Sequence, residues 1–325
     1  MPKNETKRLL ATLLLALAAG TAGTAGAAEP PAMRLDRPQE ASLVAVAAAG
    51  NRLVAVGDHG VVVRSDDGLN WTQADKVPVD TLLTALSFAD ERNGWAVGHG
   101  GVLLKTSDAG QTWALQQRLE DAPVLLSVWF ENAQHGIVVG AYGYASETRD
   151  GGNSWQRLAV GEEGDDYHLN RVFPGPDHSL FIAAEGGNAY RSLDDGATWQ
   201  ALDTGASGSL WCGTALPDGR VLLAGMSGRV LLSDDRGDSW REVDSGSTEA
   251  ITDIRALADG RVALVGNGGL VAVAGGDLAG FTPTVRPDRQ NLSALAPLRG
   301  GDLLILGQAG VSPGLDKGGP GKPLD

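Results

Sequence analysis

With 325 residues, 42% apolar and 20% charged, the chain is long enough to enclose a large core, and its formal charge of −14 is the wrong sign for nucleic acid or anionic lipid. One cysteine, Cys212, excludes an internal disulfide. The 46 glycines fall at turns rather than in a Gly-X-Y period, which signals many short strands.

The first 28 residues read apart from the rest. Lys3, Lys7 and Arg8 form a basic start, Leu9 to Ala19 is largely apolar, and Ala25-Gly26-Ala27 offers small residues at the spacing of a cleavage site. The apolar run is too short to span a bilayer and suits a signal peptide. Its removal takes away three basic and one acidic residue, moving the charge from −14 to −16. The expectation is an exported, periplasmic chain without a transmembrane segment, monomeric, with no cofactor and no dedicated metal site.

From there the chain repeats. The segment Asp-x-Gly-x-(Ser/Thr/Asn)-Trp recurs five times, with Asp66, Asp108, Asp150, Asp194 and Asp235 leading and Trp71, Trp113, Trp155, Trp199 and Trp240 closing; the tryptophans stand 42, 42, 44 and 41 residues apart. The aspartate accepts backbone N–H groups in a turn, the glycine supplies positive φ, and the tryptophan buries a large face. A second marker, Val-Gly or a variant with a glycine three residues later, occurs seven times: Val56-Gly57, Val97-Gly98, Val139-Gly140, Ala183-Ala184, Ala224-Gly225, Val265-Gly266 and Leu306-Gly307. Seven units of four short strands predict an all-β, seven-bladed β-propeller over residues 29–313. In the second unit the strands are Leu82 to Phe88, Gly94 to Val97, Val102 to Thr106 and Trp113 to Arg118. The last unit lacks an outer strand, so Ala32 to Arg37 is expected to fill that place and close the ring, leaving 314–325 as a loose tail.

The aspartate turn is the Asp-box, or BNR repeat. Together with Asn93-Gly94-Trp95-Ala96-Val97-Gly98, Gly101, and Leu104 to Trp113, it resembles the photosynthesis system II assembly factor, or Ycf48-like, family, over nearly the whole mature chain. The resemblance implies a propeller on the lumenal or periplasmic side that helps assemble a membrane protein. The chain departs from the photosynthetic members in its acidity and in lacking a concentrated arginine cluster, which points to a member of the non-phototroph type.

Two features are candidates for binding a protein. One is the ring of tips between second and third strands, occupied by Asp58 and His59, His99, Tyr142, Glu185, Met226, Asn267 and Gln308, where the frame is constant and the tips vary. The other is the longest insertion, on the same face, with Glu162, Glu163, Asp165, Asp166, Tyr167 and His168. The reading is a scaffold for a membrane-associated or periplasmic protein. The alternative of another class is a carbohydrate-active enzyme, sialidase-like or polysaccharide-cleaving, in which Tyr142, Tyr144 or Tyr167 pairs with Glu185.

Overall fold

The computed structural model describes residues 30–121, 123–298 and 301–313. The signal-peptide segment and the 314–325 tail therefore lie outside the described residues. Seven antiparallel sheets follow one another along the chain, six of four strands and the last of three. Each is a blade. The inner strands are Leu43–Ala49, Leu83–Phe88, Leu125–Phe130, Leu169–Pro174, Leu210–Ala215, Ile251–Ala256 and Leu292–Pro297. In the second blade the strands Leu83–Phe88, Gly94–Gly98, Val102–Thr106 and Ala114–Arg118 agree with the sequence expectation to within a residue.

The second strand of each blade explains why period-two alternation is weak in this sequence. Gly94–Gly98, Gly136–Gly140, Leu180–Ala184, Val221–Gly225, Val262–Gly266 and Leu303–Gly307 are buried at every position, because adjacent blades cover both of their faces. A short, continuous apolar run is what such a strand requires. Seven apolar clusters fill the seven interfaces between blades, the one between the seventh and first blades included.

The second-strand glycine has a steric cause. At Gly57, Gly98, Gly140, Gly225, Gly266 and Gly307 a Cβ would sit on the carbonyl oxygen of the residue that enters the inner strand: Ser42, Leu82, Val124, Ser209, Ala250 and Asn291 respectively. The same carbonyl accepts the N–H of the residue after the glycine, as in His99 to Leu82 at 3.1 Å and Gln308 to Asn291 at 3.1 Å. Two backbones are thus held too close for a side chain. In the fourth blade the position is Ala184, whose φ of −138° departs from the −164° to −177° of Gly98, Gly225 and Gly266. The backbone has turned to admit the methyl group, and Glu185 N–H still reaches the carbonyl of His168 at 2.9 Å.

Closure differs from the sequence expectation. Ala32 to Arg37 adds no strand to the last blade, whose described residues form three strands, Leu292–Pro297, Leu303–Gly307 and Gly310–Pro313. The segment lies instead along the first blade. Ala32 N–H donates to Val77 O, Met33 N–H to His59 O, and Arg34 to the carbonyls of Ala74 and Asp75, while Gln73 exchanges hydrogen bonds with Met33 and Leu35. Only the short 3-10 turn Pro38–Glu40 touches the third strand of the seventh blade. The ring closes by apolar packing of Leu43, Val46, Ala55 and Val63 against Ala294, Ala296, Leu304 and Leu306, capped by Leu35 and Ala41. A pairing strand is unnecessary because that interface buries as continuous an apolar surface as the others.

Candidate functional site

The four-stranded blade gives the ring two rims. The Asp turns join third and fourth strands on one rim; the tips between second and third strands lie on the other, together with the connections that lead into the next blade.

On the first rim the turns are self-contained. In the third blade Asp150 accepts the N–H of Ser154 at 2.9 Å and its hydroxyl at 2.6 Å, and the Thr148 hydroxyl at 2.8 Å. Asp194 and Asp235 repeat this set with Thr198 and Ser192, and with Ser239 and Ser233. The hydroxyl two residues before the aspartate also accepts the N–H of the turn glycine, at 2.8 Å from Gly152, 2.8 Å from Gly196 and 2.6 Å from Gly237. These hydroxyl residues are buried. Sequence reasoning missed them, although Ser or Thr precedes the aspartate by two in each turn. Their donors, first the serine hydroxyl and then the backbone N–H, pull the Asp150 and Asp235 carboxyls down to about 2.

The same spacing corrects one assignment. In the first blade the turn acceptor is Asp67, not Asp66. Ser65 donates to Asp67 at 3.0 Å, and Asp67 accepts the N–H groups of Leu69 and Asn70 and the Asn70 amide. Asp66 faces outward and pairs with Arg52 at 2.7 Å. The turn is one residue shorter here, so the Ser-x-Asp spacing, and not the distance to Trp71, identifies the acceptor. Trp71, Trp113 and Trp199 each donate their indole N–H to the carbonyl of the turn glycine, at 3.0 to 3.1 Å.

On the opposite rim the structure brings four of the candidate residues together. Tyr142, in the tip of the third blade, donates its backbone N–H to His168 Nδ1 at 3.2 Å and packs its ring edgewise on the imidazole at 4.8 Å. With Nδ1 accepting, the ring proton of a neutral His168 is on Nε2. The N–H of His168 donates to Glu185 Oε2 at 3.2 Å, and the carbonyl of Tyr167 accepts the N–H of Gly143 at 2.9 Å. The insertion is thus stitched between the tips of the third and fourth blades. Tyr142 adopts φ of +54° and is 73% exposed, and Tyr167 is 39% exposed. In the tip of the fifth blade Met226 is 43% exposed.

The acidic part of the insertion is folded on itself: Asp165 accepts the N–H of Glu162 at 2.9 Å, and its own N–H donates to the Glu162 carbonyl at 3.1 Å. Glu162, Glu163, Asp165 and Asp166 are all exposed. Its neighbour Tyr190 is pushed upward in pKa, by burial first and then by Asp165.

The other candidates remain separate. His59 pairs with Asp80 at 2.8 Å in the connection to the second blade, and no contact with His99 is present. His99, Asn267 and Gln308 occupy the tips of the second, sixth and seventh blades, each tied in by its backbone N–H. Tyr144 is packed beneath Arg157, whose guanidinium lies 3.9 Å from the ring centre, and away from Glu185. The carboxylate of Glu185 faces the imidazole and backbone of His168 rather than a tyrosine hydroxyl, so the pairing a sialidase-like nucleophile requires is not assembled. Among the described residues one trio, Glu131, His178 and Asp195, has ligand atoms within 4.8 Å of one another; it is exposed and lies on the Asp-turn rim. No helix among the described residues is long and apolar enough to cross a membrane.

The fold recurs in solved structures. A structure described as YCF48 bound to D1 peptide superposes with a TM-score of 0.70 at 20% identity, covering 86% of this chain and 97% of that one. YCF48 from Cyanidioschyzon merolae gives 0.66 at 17% identity, covering 88% and 97%. The WD40 repeats of RRP9 give 0.68 at 9% identity, covering 86% and 90%, which shows how far the bare ring extends beyond any one function. No curated protein matches the chain. Residues 63–277 match the family model described as photosynthesis system II assembly factor YCF48, a span that begins in the third strand of the first blade and ends before the outer strand of the sixth. The chain belongs to the photosynthesis system II assembly factor YCF48 family.

Proposed function

We propose that the chain is an exported, non-catalytic scaffold that binds a membrane-associated or periplasmic protein in the manner of an assembly or stability factor. The observation that carries this reading is the rim surface of Tyr142, Tyr167, His168, Glu185 and Met226, exposed aromatic and thioether groups fixed by backbone hydrogen bonds over three consecutive blades. Aromatic and methionine side chains on a rigid frame are the residues that supply binding energy at protein interfaces, because little side-chain freedom is lost when they are covered. The exposed carboxylates of Glu162, Glu163, Asp165 and Asp166 beside them give the surface a preference for a basic partner. The peptide bound to a related propeller supports the reading by placing a protein ligand on this fold in one family member. The first 28 residues, with their basic start and short apolar run, support export.

The test is capture from detergent-solubilised membranes and from periplasmic extract, with the mature chain and two variants. One variant carries Glu162→Gln, Glu163→Gln, Asp165→Asn and Asp166→Asn; the other carries Tyr142→Ala. A single reproducible partner, weakened by both variants, is the expected result. A partner retained at full strength by both would remove this rim as the binding surface, and no partner in either fraction would remove the scaffold reading.

A further inference from the structure

The inner strands enclose an axial channel, and its wall is uneven. Each inner strand begins with a bulge, after which one residue pairs into the ladder: Ala45, Ala85, Ser127, Arg171, Cys212, Asp253 and Ala294 in blade order. Five of the seven are small and buried, as the tight approach of neighbouring inner strands requires. The fourth blade places an arginine there, and the sixth an aspartate that is 3% exposed. A third charge, Arg255, stands two residues further along the sixth blade.

These charges do not cancel. Asp253 Oδ2 accepts Arg255 Nε at 3.1 Å and the N–H of Leu295 at 3.1 Å, so the carboxylate is shared between one guanidinium and the backbone of the seventh blade. Among the described residues no hydrogen bond or ion pair is formed by the guanidinium of Arg171, and the Asp253 carboxylate acts on it only through space. Burial first, and then the positive charge of Arg255, push its pKa down, outweighing the upward pull of Asp253. Two cavities of about 250 and 350 Å³, one towards each mouth of the channel, both have Arg171 and Arg255 in their walls. Asn170, Trp211 and Ser293 line the first, and Trp129 and Thr214 the second.

We propose that this waist is a binding site for one small oxyanion, a carboxylate or phosphate group on a low-molecular-weight solute. Arg171 supplies the planar fork, which matches two oxygens of such a group, and Arg255, already oriented by Asp253, supplies the second positive charge. Trp211 lines the space on one side and Trp129 on the other. The acidic exterior does not forbid entry, because at physiological ionic strength its field is screened within about 8 Å. The site lies along the ring axis and is separate from the tip surface of the preceding section.

The experiment is thermal unfolding and titration calorimetry at pH 7 with inorganic phosphate and with acetate, each against sodium chloride of equal ionic strength. The parent chain is expected to show a saturable rise in Tm with at least one of the two. Phosphate alone, acetate alone or both would identify the group recognised. Arg171→Met should fold with a Tm no lower than the parent, since it removes an uncompensated charge, and should bind at least about tenfold more weakly. Should that variant fail to fold, Arg171→Lys keeps the charge without the fork and should bind several-fold more weakly. An anion effect equal in parent and variants, or no saturable effect of either anion on the parent, would overturn the proposal.

Discussion

On the Asp-turn rim each carboxylate is consumed locally: Asp150 and Asp235 accept a hydroxyl, a backbone N–H and a second hydroxyl within a span of seven residues. On the tip rim the residue at the corresponding position is anchored by its backbone N–H, and among the described residues only Glu185 also uses its side chain, accepting the N–H of His168. The chain can therefore change Met226, Asn267 or Gln308 without touching the frame, whereas a change at Asp150 or Thr148 dismantles a turn. A propeller separates stability from recognition by rim, and the repeated positions belong to the first task while the variable ones are open to the second.

The comparison can be broken most severely at the close approach behind the tips. Gly225→Ala puts a methyl group on the Ser209 carbonyl and should cost about 3 kcal/mol, the upper part of the range for overpacking. The reverse change in the fourth blade, Ala184→Gly, should cost no more than about 1 kcal/mol, since that backbone has already moved. Denaturant unfolding of the pair measures both, and equal effects would remove the steric account.

Ser233→Ala comes next. It deprives Asp235 of a donor and the buried N–H of Gly237 of its acceptor, and should cost about 1 to 3 kcal/mol in the same assay. The paired acid prediction has a definite sign. Asp150 and Asp235 are held at about 2 in the folded chain, below the value of about 3.9 of an unfolded aspartate. Their contribution is fully present above the unfolded value and is lost as pH falls through the folded one. Tm should therefore drop between about pH 4 and pH 2, and Asp150→Asn with Asp235→Asn should flatten that limb; an unchanged limb would show that other groups control acid unfolding.

The smallest effect sharpens the comparison within a single turn. Asp66→Asn removes only an exposed pair with Arg52 and should change stability by less than about 1 kcal/mol. Asp67→Asn should lower Tm clearly more, because the turn N–H groups of Leu69 and Asn70 depend on that carboxylate. The opposite ranking would restore Asp66 as the turn residue.

Much of the ring was legible because the constraints are local and recur. The glycine at the close carbonyl, Gly98 in the second blade, returns in six of the seven, so periodicity exposes it even when its cause is unknown; the buried hydroxyl of Thr106 returns only in the first five blades and was overlooked. Asp66 misled because a one-residue deletion leaves an aspartate in the expected frame. The N-terminal segment misled for a different reason: whether Ala32 to Arg37 pairs with the seventh blade or lies on the first depends on contacts that no spacing records. The joining of Tyr142 to His168 was likewise illegible, since it depends on how the insertion folds back between two tips. Arg171 could have been found by aligning the inner strands, where it stands among alanines, but the bulge that sets that alignment is visible only in the backbone.

The inner-strand bulges carry one more consequence. Thr84 donates across to Leu125 O, Asn170 to Leu210 O and Thr252 to Leu292 O, and Ser87, Ser127 and Asp253 accept N–H groups from the following blade. These latches fasten the second blade to the third, the third to the fourth, the fourth to the fifth and the sixth to the seventh. Among the described residues no such latch joins the seventh blade to the first, the first to the second or the fifth to the sixth. In mechanical terms the ring has a seam where the seventh blade meets the first, a joint resisted by oil-like contact, whereas the first blade is tied to the second outside the channel by Asp75 N–H on Gln111 O and Trp113 N–H on Lys76 O, both at 2.8 Å. Tension applied to the chain ends would open that joint before any latched pair of blades slips.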